Sequence, residues 1–144
     1  MNKLVFITCL LSLFLSQETK AQEARIKIDT DRRIGRIDQN IYGNFVEHLG
    51  RCVYGGIYDP ASSKADQDGL RTDVLDAVRD LNVSLTRYPG GNFVSNYHWL
   101  DGVGPERVPR MELAWARLES NEFGTDEFVE FARKVGTEPY FAVN

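Results

Sequence analysis

Apolar and polar positions alternate first from Ala24 to Ile28, as in a half-buried strand, and Arg33 to Ile37 could extend this into a hairpin. Ile41 to Glu47 is a second run of β-formers, which ends on a carboxylate and opens into a glycine-bearing loop from Gly50 to Gly69. Leu70, Val74, Ala77, Val78 and Leu81 recur at helical spacing, with Asp68 placed to cap them. A strand from Val83 to Arg87 breaks at Pro89-Gly90-Gly91, and a long loop from Asn92 to about Glu122 carries a short helix near Met111 to Leu118. Thr125 caps a better-marked helix. Asp126 and Glu127 suit its positive end, Phe128, Phe131, Ala132 and Val135 form its buried face, and Gly136 stops it. Tyr140 to Val143 then reads as an apolar strand.

Strand, helix, strand, helix, strand implies parallel strands joined by crossovers. Such a run could begin a Rossmann-type sheet or a (β/α)8 barrel. Pro89-Gly90-Gly91-Asn92 lacks the phosphate-binding glycine pattern, so the first part of a barrel, about three strands and two helices, is the expected α/β fold class. A complete barrel needs about 250 residues. The 144 residues are therefore expected to be a truncated N-terminal part of one.

The first residues stand apart. Lys3 precedes a nearly unbroken apolar run from Leu4 to Leu15, and Thr19-Lys20-Ala21 forms a small-x-small site. Residues 1–21 are thus a signal peptide, too short for the roughly 20 apolar residues of a membrane span. This predicts a secreted or periplasmic address, with no membrane insertion after cleavage. Residues 22–40 form the N-terminal strand or hairpin region, and 41–144 the barrel part. Cleavage removes Cys9 and leaves Cys52 alone, so no internal disulfide can form. The composition is 42% hydrophobic and 26% charged, with a net charge of −4 and no basic tract, which argues against nucleic acid as a partner. Asn82-Val83-Ser84 is a glycosylation sequon, poorly placed where a helix meets a buried strand.

In a barrel, chemistry gathers at the C-terminal ends of the strands. Glu47 closes the first strand, Arg87 closes the second, and Asn92 follows on the Gly-Gly turn. A carboxylate, a guanidinium and an amide facing one cavity suit sugar hydroxyls. Taken singly, each has a structural reading: a solvated loop carboxylate, an ion-pair partner, a tight turn. Tyr88, Phe93, Tyr97, Trp99 and Trp115 cluster nearby, and aromatic faces pack on sugar rings, though Phe93 and Trp99 fit a satellite core better. His48 and His98 are far apart, with no Cys/His spacing, so neither a metal nor another cofactor is expected.

These strings resemble a known family. Ile41 to Arg51, Tyr54-Gly55-Gly56-Ile57-Tyr58, Arg87 to Ser95, Tyr97-His98-Trp99, Asp101 to Pro105, Leu113-Ala114-Trp115, Asn121 to Gly124 and Ala142-Val143-Asn144 are similar, in order, to the opening of family 51 glycoside hydrolases, the α-L-arabinofuranosidases. The resemblance implies a (β/α)8 barrel beside a β-sandwich that takes in the N-terminal strand. It also implies hydrolysis of terminal α-L-arabinofuranosyl groups of glycans with retention of configuration. By the same resemblance Glu47 and Asn92 contact the sugar, Arg87 lies beneath the catalytic carboxylates, and Trp115 lines the cleft. The family's acid/base and nucleophile are glutamates on the fourth and seventh strands, beyond residue 144, so no residue here is assigned as catalytic and the piece alone is expected to be inactive. Other readings stay open: a barrel glycosidase of other sugar specificity, or a non-catalytic carbohydrate-binding or vestigial module. Homo-oligomerisation of the full-length protein is also left open.

Overall fold

The computed structural model describes residues 24–144. The signal-peptide expectation for residues 1–21 lies outside them. Two units divide the described chain, the first contributing residues 24–35 and the second Arg36–Asn144. In the first, a turn at Thr30 and Asp31 is the one feature, with the Asp31 N–H donating to Asp29 Oδ1 at 3.3 Å. The expected strand from Ala24 and its hairpin are not formed. Ile26, Ile28 and Ile34 are 86%, 80% and 93% exposed. Alternation alone does not make a strand, because a strand exists through its hydrogen-bonded partner, and none pairs here among the described residues.

The second unit begins with a 3-10 turn, Gln39–Tyr42, entered through Asp38, whose carboxylate accepts the Asn40 N–H at 2.9 Å. The turn consumes the front of the expected first strand, leaving β1 as Asn44–Phe45. Pairing runs on beyond it: the Val46 N–H donates to Arg87 O and the His48 N–H to Pro89 O, both at 2.8 Å. Helix α1 (Thr72–Asp80) leads to β2 (Leu85–Tyr88). The antiparallel strands β3 (Arg110–Glu112) and β4 (Arg117–Glu119) follow. Helix α2 (Thr125–Val135) and β5 (Glu138–Phe141) close the order. β1, β2 and β5 form a parallel sheet with β2 central, Phe45 opposite Arg87 and Arg87 opposite Tyr140. The expected strand–helix–strand–helix–strand order is thus a mixed α/β unit with two crossovers.

Side chains alternate across a strand, so the sheet has two unlike faces. Thr86 and Tyr88 point to the helices and are fully buried; Tyr88 stacks on Phe128 of α2 at 4.6 Å between ring centroids. Phe123, Phe131, Leu70 and Leu75 complete this core. A hydroxyl ladder crosses the same face: Thr86 donates to Asn44 Oδ1 at 2.7 Å and lies 3.1 Å from the Thr137 hydroxyl. Phe45, Arg87 and Tyr140 share the other face, where Phe45 and Tyr140 are exposed.

Helix α2 follows its sequence signals closely. Its cap is Gly124 rather than Thr125, and the Glu127 carboxylate accepts the Gly124 N–H at 2.8 Å. Gly136 ends it in the left-handed region, at φ 77°. Helix α1 starts later than expected, at cap Arg71. Asp68 does not cap it, because Asp66 Oδ1 takes the N–H groups of Asp68 and Leu70 and holds the chain in a turn. Asp68 instead joins Asp66 in binding the Lys134 ammonium from α2.

The expected helix from Met111 to Leu118 is overturned, since this segment is the β3–β4 hairpin. Its residues are good helix formers, but the Glu112 carboxylate accepts the N–H groups of Ala114 and Trp115, and Ala116 sits at φ 50°, reversing the chain. The long loop carrying the hairpin is pinned at its base. A Cβ on Gly102 would lie 2.8 Å from the Gly124 Cα, so the two backbones touch where the excursion leaves and returns. Beside them Arg107 forms a bidentate pair with Glu127, at 2.9 and 2.8 Å, and donates to Gly104 O and Asn121 O. Among the described residues no helix is long and apolar enough to cross a membrane.

Candidate active site

Glu47 and Arg87 meet around one glycine, and Asn92 follows it by two residues. Glu47 follows β1 on the open face of the sheet, and Arg87 lies on β2 on that same face. Between them passes Gly90, buried and at φ 128°; a Cβ there would stand 2.3 Å from Glu47 Cγ. Only a residue without a side chain satisfies both the angle and the contact. The Arg87 guanidinium donates to Gly90 O at 2.9 Å, and the Gly91 N–H reaches Glu47 Oε1 at 3.4 Å. Two residues on, Asn92 opens a 3-10 turn, Phe93–Asn96, with its own side chain exposed. The carboxylate and the guanidinium therefore sit together at the ends of two adjacent parallel strands, the edge where α/β sheets present ligands, with Asn92 on the turn that follows.

Trp115 stands elsewhere. It tops the hairpin turn and walls a cleft of about 480 Å³, together with His48, Tyr54, Phe93 and Glu119. Its indole Nε1 is buried and has no hydrogen-bond partner among the described residues. Neither Glu47, Arg87 nor Asn92 lines this cleft.

The sequence reading passed over the residues that link the two places. His48 is the neighbour of Glu47 but points to the covered face, 6% exposed and stacked on Phe93 at 4.5 Å. Its Nδ1 is 3.1 Å from the Tyr88 hydroxyl, which in turn donates to Phe123 O at 3.3 Å. Its Nε2 lies 3.3 Å from Glu119 Oε2, off the line of a hydrogen bond. Glu119 Oε1 accepts from the Tyr54 hydroxyl and from the Asn121 N–H, the latter at 2.9 Å. Burial lowers the His48 pKa from 6.5 to about 4, and burial also raises that of Glu119, against the pull of its hydrogen bonds. Burial and the Glu119 contact raise that of Tyr54. The position of His48 directly after the strand-end carboxylate is the one sequence signal for this cluster. Among the described residues, no group of three His, Cys, Asp or Glu side chains could hold a metal ion.

Comparison with known proteins bears on what this edge of the sheet belongs to. A family model described as "Alpha-L-arabinofuranosidase 1 domain" matches residues 77–144. The chain is 55% identical over 121 residues to a probable α-L-arabinofuranosidase C of Aspergillus niger, covering 83% of this chain and 24% of that protein. It is 54% identical over 125 residues to an intracellular exo-α-(1→5)-L-arabinofuranosidase of Acetivibrio thermocellus, covering 85% and 25%. Among solved structures, the thermostable GH51 α-L-arabinofuranosidase of Thermotoga petrophila is similar with a TM-score of 0.73 and 56% identity, over 75% of this chain and 23% of that one. In sequence and in fold, what the chain is similar to is glycoside hydrolase family 51. The GH51 arabinofuranosidase of Xanthomonas axonopodis pv. citri is similar at a TM-score of 0.74 and 39% identity, over 80% and 24%. The chain spans about a quarter of the length of the curated relatives it matches. Arg87, Asn92 and Trp115 fall inside the family-model match, and Glu47 precedes it.

Proposed function

We propose that the full-length protein removes terminal non-reducing α-L-arabinofuranosyl groups from arabinose-containing glycans, with retention of configuration. The observation that carries this reading is the meeting of Glu47 and Arg87 at Gly90, with Asn92 on the turn that follows, at the strand ends of a chain 54–55% identical to proteins named α-L-arabinofuranosidases. Glu47 accepts hydrogen bonds from sugar hydroxyls, Asn92 both donates and accepts, and Arg87 stabilises negative charge at the floor of the pocket. Trp115 walls the cleft beside them and offers an aromatic face to the glycan.

Retaining hydrolysis takes two carboxylates about 5–5.5 Å apart, one a nucleophile and one an acid/base. Glu112 and Glu119 both line the cleft, yet each is committed to internal donors, Glu112 to the turn amides and Glu119 to Tyr54 and Asn121. The two catalytic carboxylates are therefore assigned to strands other than β1, β2 and β5, in a (β/α)8 barrel of which these three are the start. Export through residues 1–21 and assembly into a homo-oligomer belong to the same proposal.

The test is NMR of the first product released by the full-length protein from an aryl α-L-arabinofuranoside. The α-anomer is expected first. Initial release of the β-anomer would overturn the retaining mechanism. Hydrolysis of an aryl xyloside or glucoside in its place would move the protein to another sugar, and binding of arabinan without turnover would make it a carbohydrate-binding module.

A further inference from the structure

Among the described residues, Trp115 makes no hydrogen bond to the sheet. Its amide is held by Glu112 at 2.7 Å, a residue of the same hairpin, so its place in the cleft follows the place of the whole hairpin. At the base of that hairpin one hydroxyl gathers the contacts. Tyr54, from the loop after β1, donates to Glu119 Oε1 and lies 3.3 Å from both the Ser120 hydroxyl and the Phe123 N–H. All three partners belong to β4 or the chain just after it. Glu119 Oε2 meanwhile faces His48 Nε2, with the two side chains 10% and 3% exposed.

We propose that Glu119 is a positioning residue: with His48 and Tyr54 it fixes the β3–β4 hairpin against the end of β1 and thereby sets where Trp115 stands in the cleft. Ionisable groups that face this cluster are Tyr54, Tyr88 and Tyr97 from the sheet side, and Glu112 and Glu122 from the hairpin and its return. An ordinary surface carboxylate would gain nothing from a site this crowded with acids. Here Glu119 is retained with two donors on one oxygen and an imidazole beside the other. The Tyr88 hydroxyl lies between His48 Nδ1 and Phe123 O, so it can donate to Nδ1, or accept from Nδ1–H and donate to the carbonyl. Only the first leaves the proton on Nε2, where it faces Glu119 Oε2.

The experiment uses the full-length protein and has two arms. The kinetic arm rests on the arabinofuranosidase reading; the second follows the tryptophan emission that Trp115→Phe removes and is independent of that reading. Glu119→Ala is expected to raise KM for an aryl arabinofuranoside about tenfold, roughly the loss of one charged hydrogen bond. The kcat should change less than about threefold, and the Trp115 emission should shift to the red. Glu119→Gln keeps an acceptor for Tyr54 and Asn121 and turns an N–H toward His48 Nε2. It should restore KM to within about twofold of the parent, together with the parent emission. If Glu119→Ala does not fold, Tyr54→Phe keeps the ring and removes the donor, and it should give the same split at about threefold in KM. Unchanged KM and emission in the folded variant, or an equal fall in kcat with KM unchanged, overturns the proposal. So does a Glu119→Gln protein as impaired as Glu119→Ala. If no variant or parent hydrolyses arabinofuranosides, the functional reading fails and the emission alone decides the positioning role.

Discussion

Glu47 and His48 are consecutive, yet they belong to different chemical worlds. Glu47 lies on the open face of the sheet, its carboxylate against the backbone of Gly90 and Gly91. His48 lies on the covered face, among Phe93, Tyr54 and Tyr88, where burial keeps it neutral. One peptide step turns an open-face position into a buried one, because successive strand side chains point oppositely. The lesson is that a motif is read residue by residue, with the period of its element in hand.

The comparison is broken most severely on the covered face. Phe128→Ala removes the ring stacked on Tyr88 and should cost about 3–5 kcal/mol, measured by urea unfolding of the full-length protein, with binding contacts on the open face untouched in whatever fraction stays folded. A loss under 1 kcal/mol would mean that the helices do not carry the sheet.

The pH dependence of stability sharpens the same contrast. The native pKa of His48, about 4, lies below its ordinary 6.5. The unfolded chain therefore binds more protons between these values, and the stability that neutral burial provides is full above pH 6.5 and falls as pH drops toward 4. The contribution is on the order of 3 kcal/mol. Glu119 works the other way: its raised pKa gives stability that is present at low pH and is lost as pH rises through the native value. His48→Gln should flatten the rise of stability between pH 5 and 7, seen in unfolding midpoints; an unchanged slope would refute the assignment to this imidazole.

On the open face, Glu47→Gln should leave stability near that of the parent and cost roughly 1.5–3 kcal/mol of transition-state binding, about a 10- to 150-fold loss in kcat/KM. Good and poor leaving groups should lose alike, with no rescue by azide. Azide rescue with strong leaving-group dependence would make Glu47 the acid/base instead. Smallest is a pair of glycine exchanges. Gly90→Ala meets both the Glu47 side chain and a forbidden φ, and should cost about 1–3 kcal/mol and raise KM. Gly91→Ala has nothing within 4 Å of its new methyl and should cost less than about 0.5 kcal/mol. Equal effects would show that the close approach at Gly90 is not what shapes the pocket.

Legibility followed the range of the interactions. Helix α2 was readable to its stop at Gly136 because caps, periodicity and terminator are local. The order of parallel strands follows from the alternation of elements, and the approach of Glu47 and Arg87 at Gly90 follows from strand ends. The hairpin was misread because Met111 to Leu118 has helical propensity, whereas its real structure depends on Glu112 folding back on two amides and on pairing across Arg110 and Glu119. Asp68 lost its cap to a competing aspartate two residues earlier. The His48–Glu119 contact, 71 positions apart in the chain, leaves no trace in spacing at all.

The touch between Gly102 and Gly124 has a consequence for how this surface can diversify. Because the excursion that carries Trp115 departs and lands at one point, its length is uncoupled from the spacing of β2 and α2. Doubling such a loop adds only about 0.6 kcal/mol of closure entropy. The stretch between the two glycines is thus an exchangeable cassette. Hairpins of other lengths and tips can be swapped there to reshape what the cleft admits, as long as both glycines are kept.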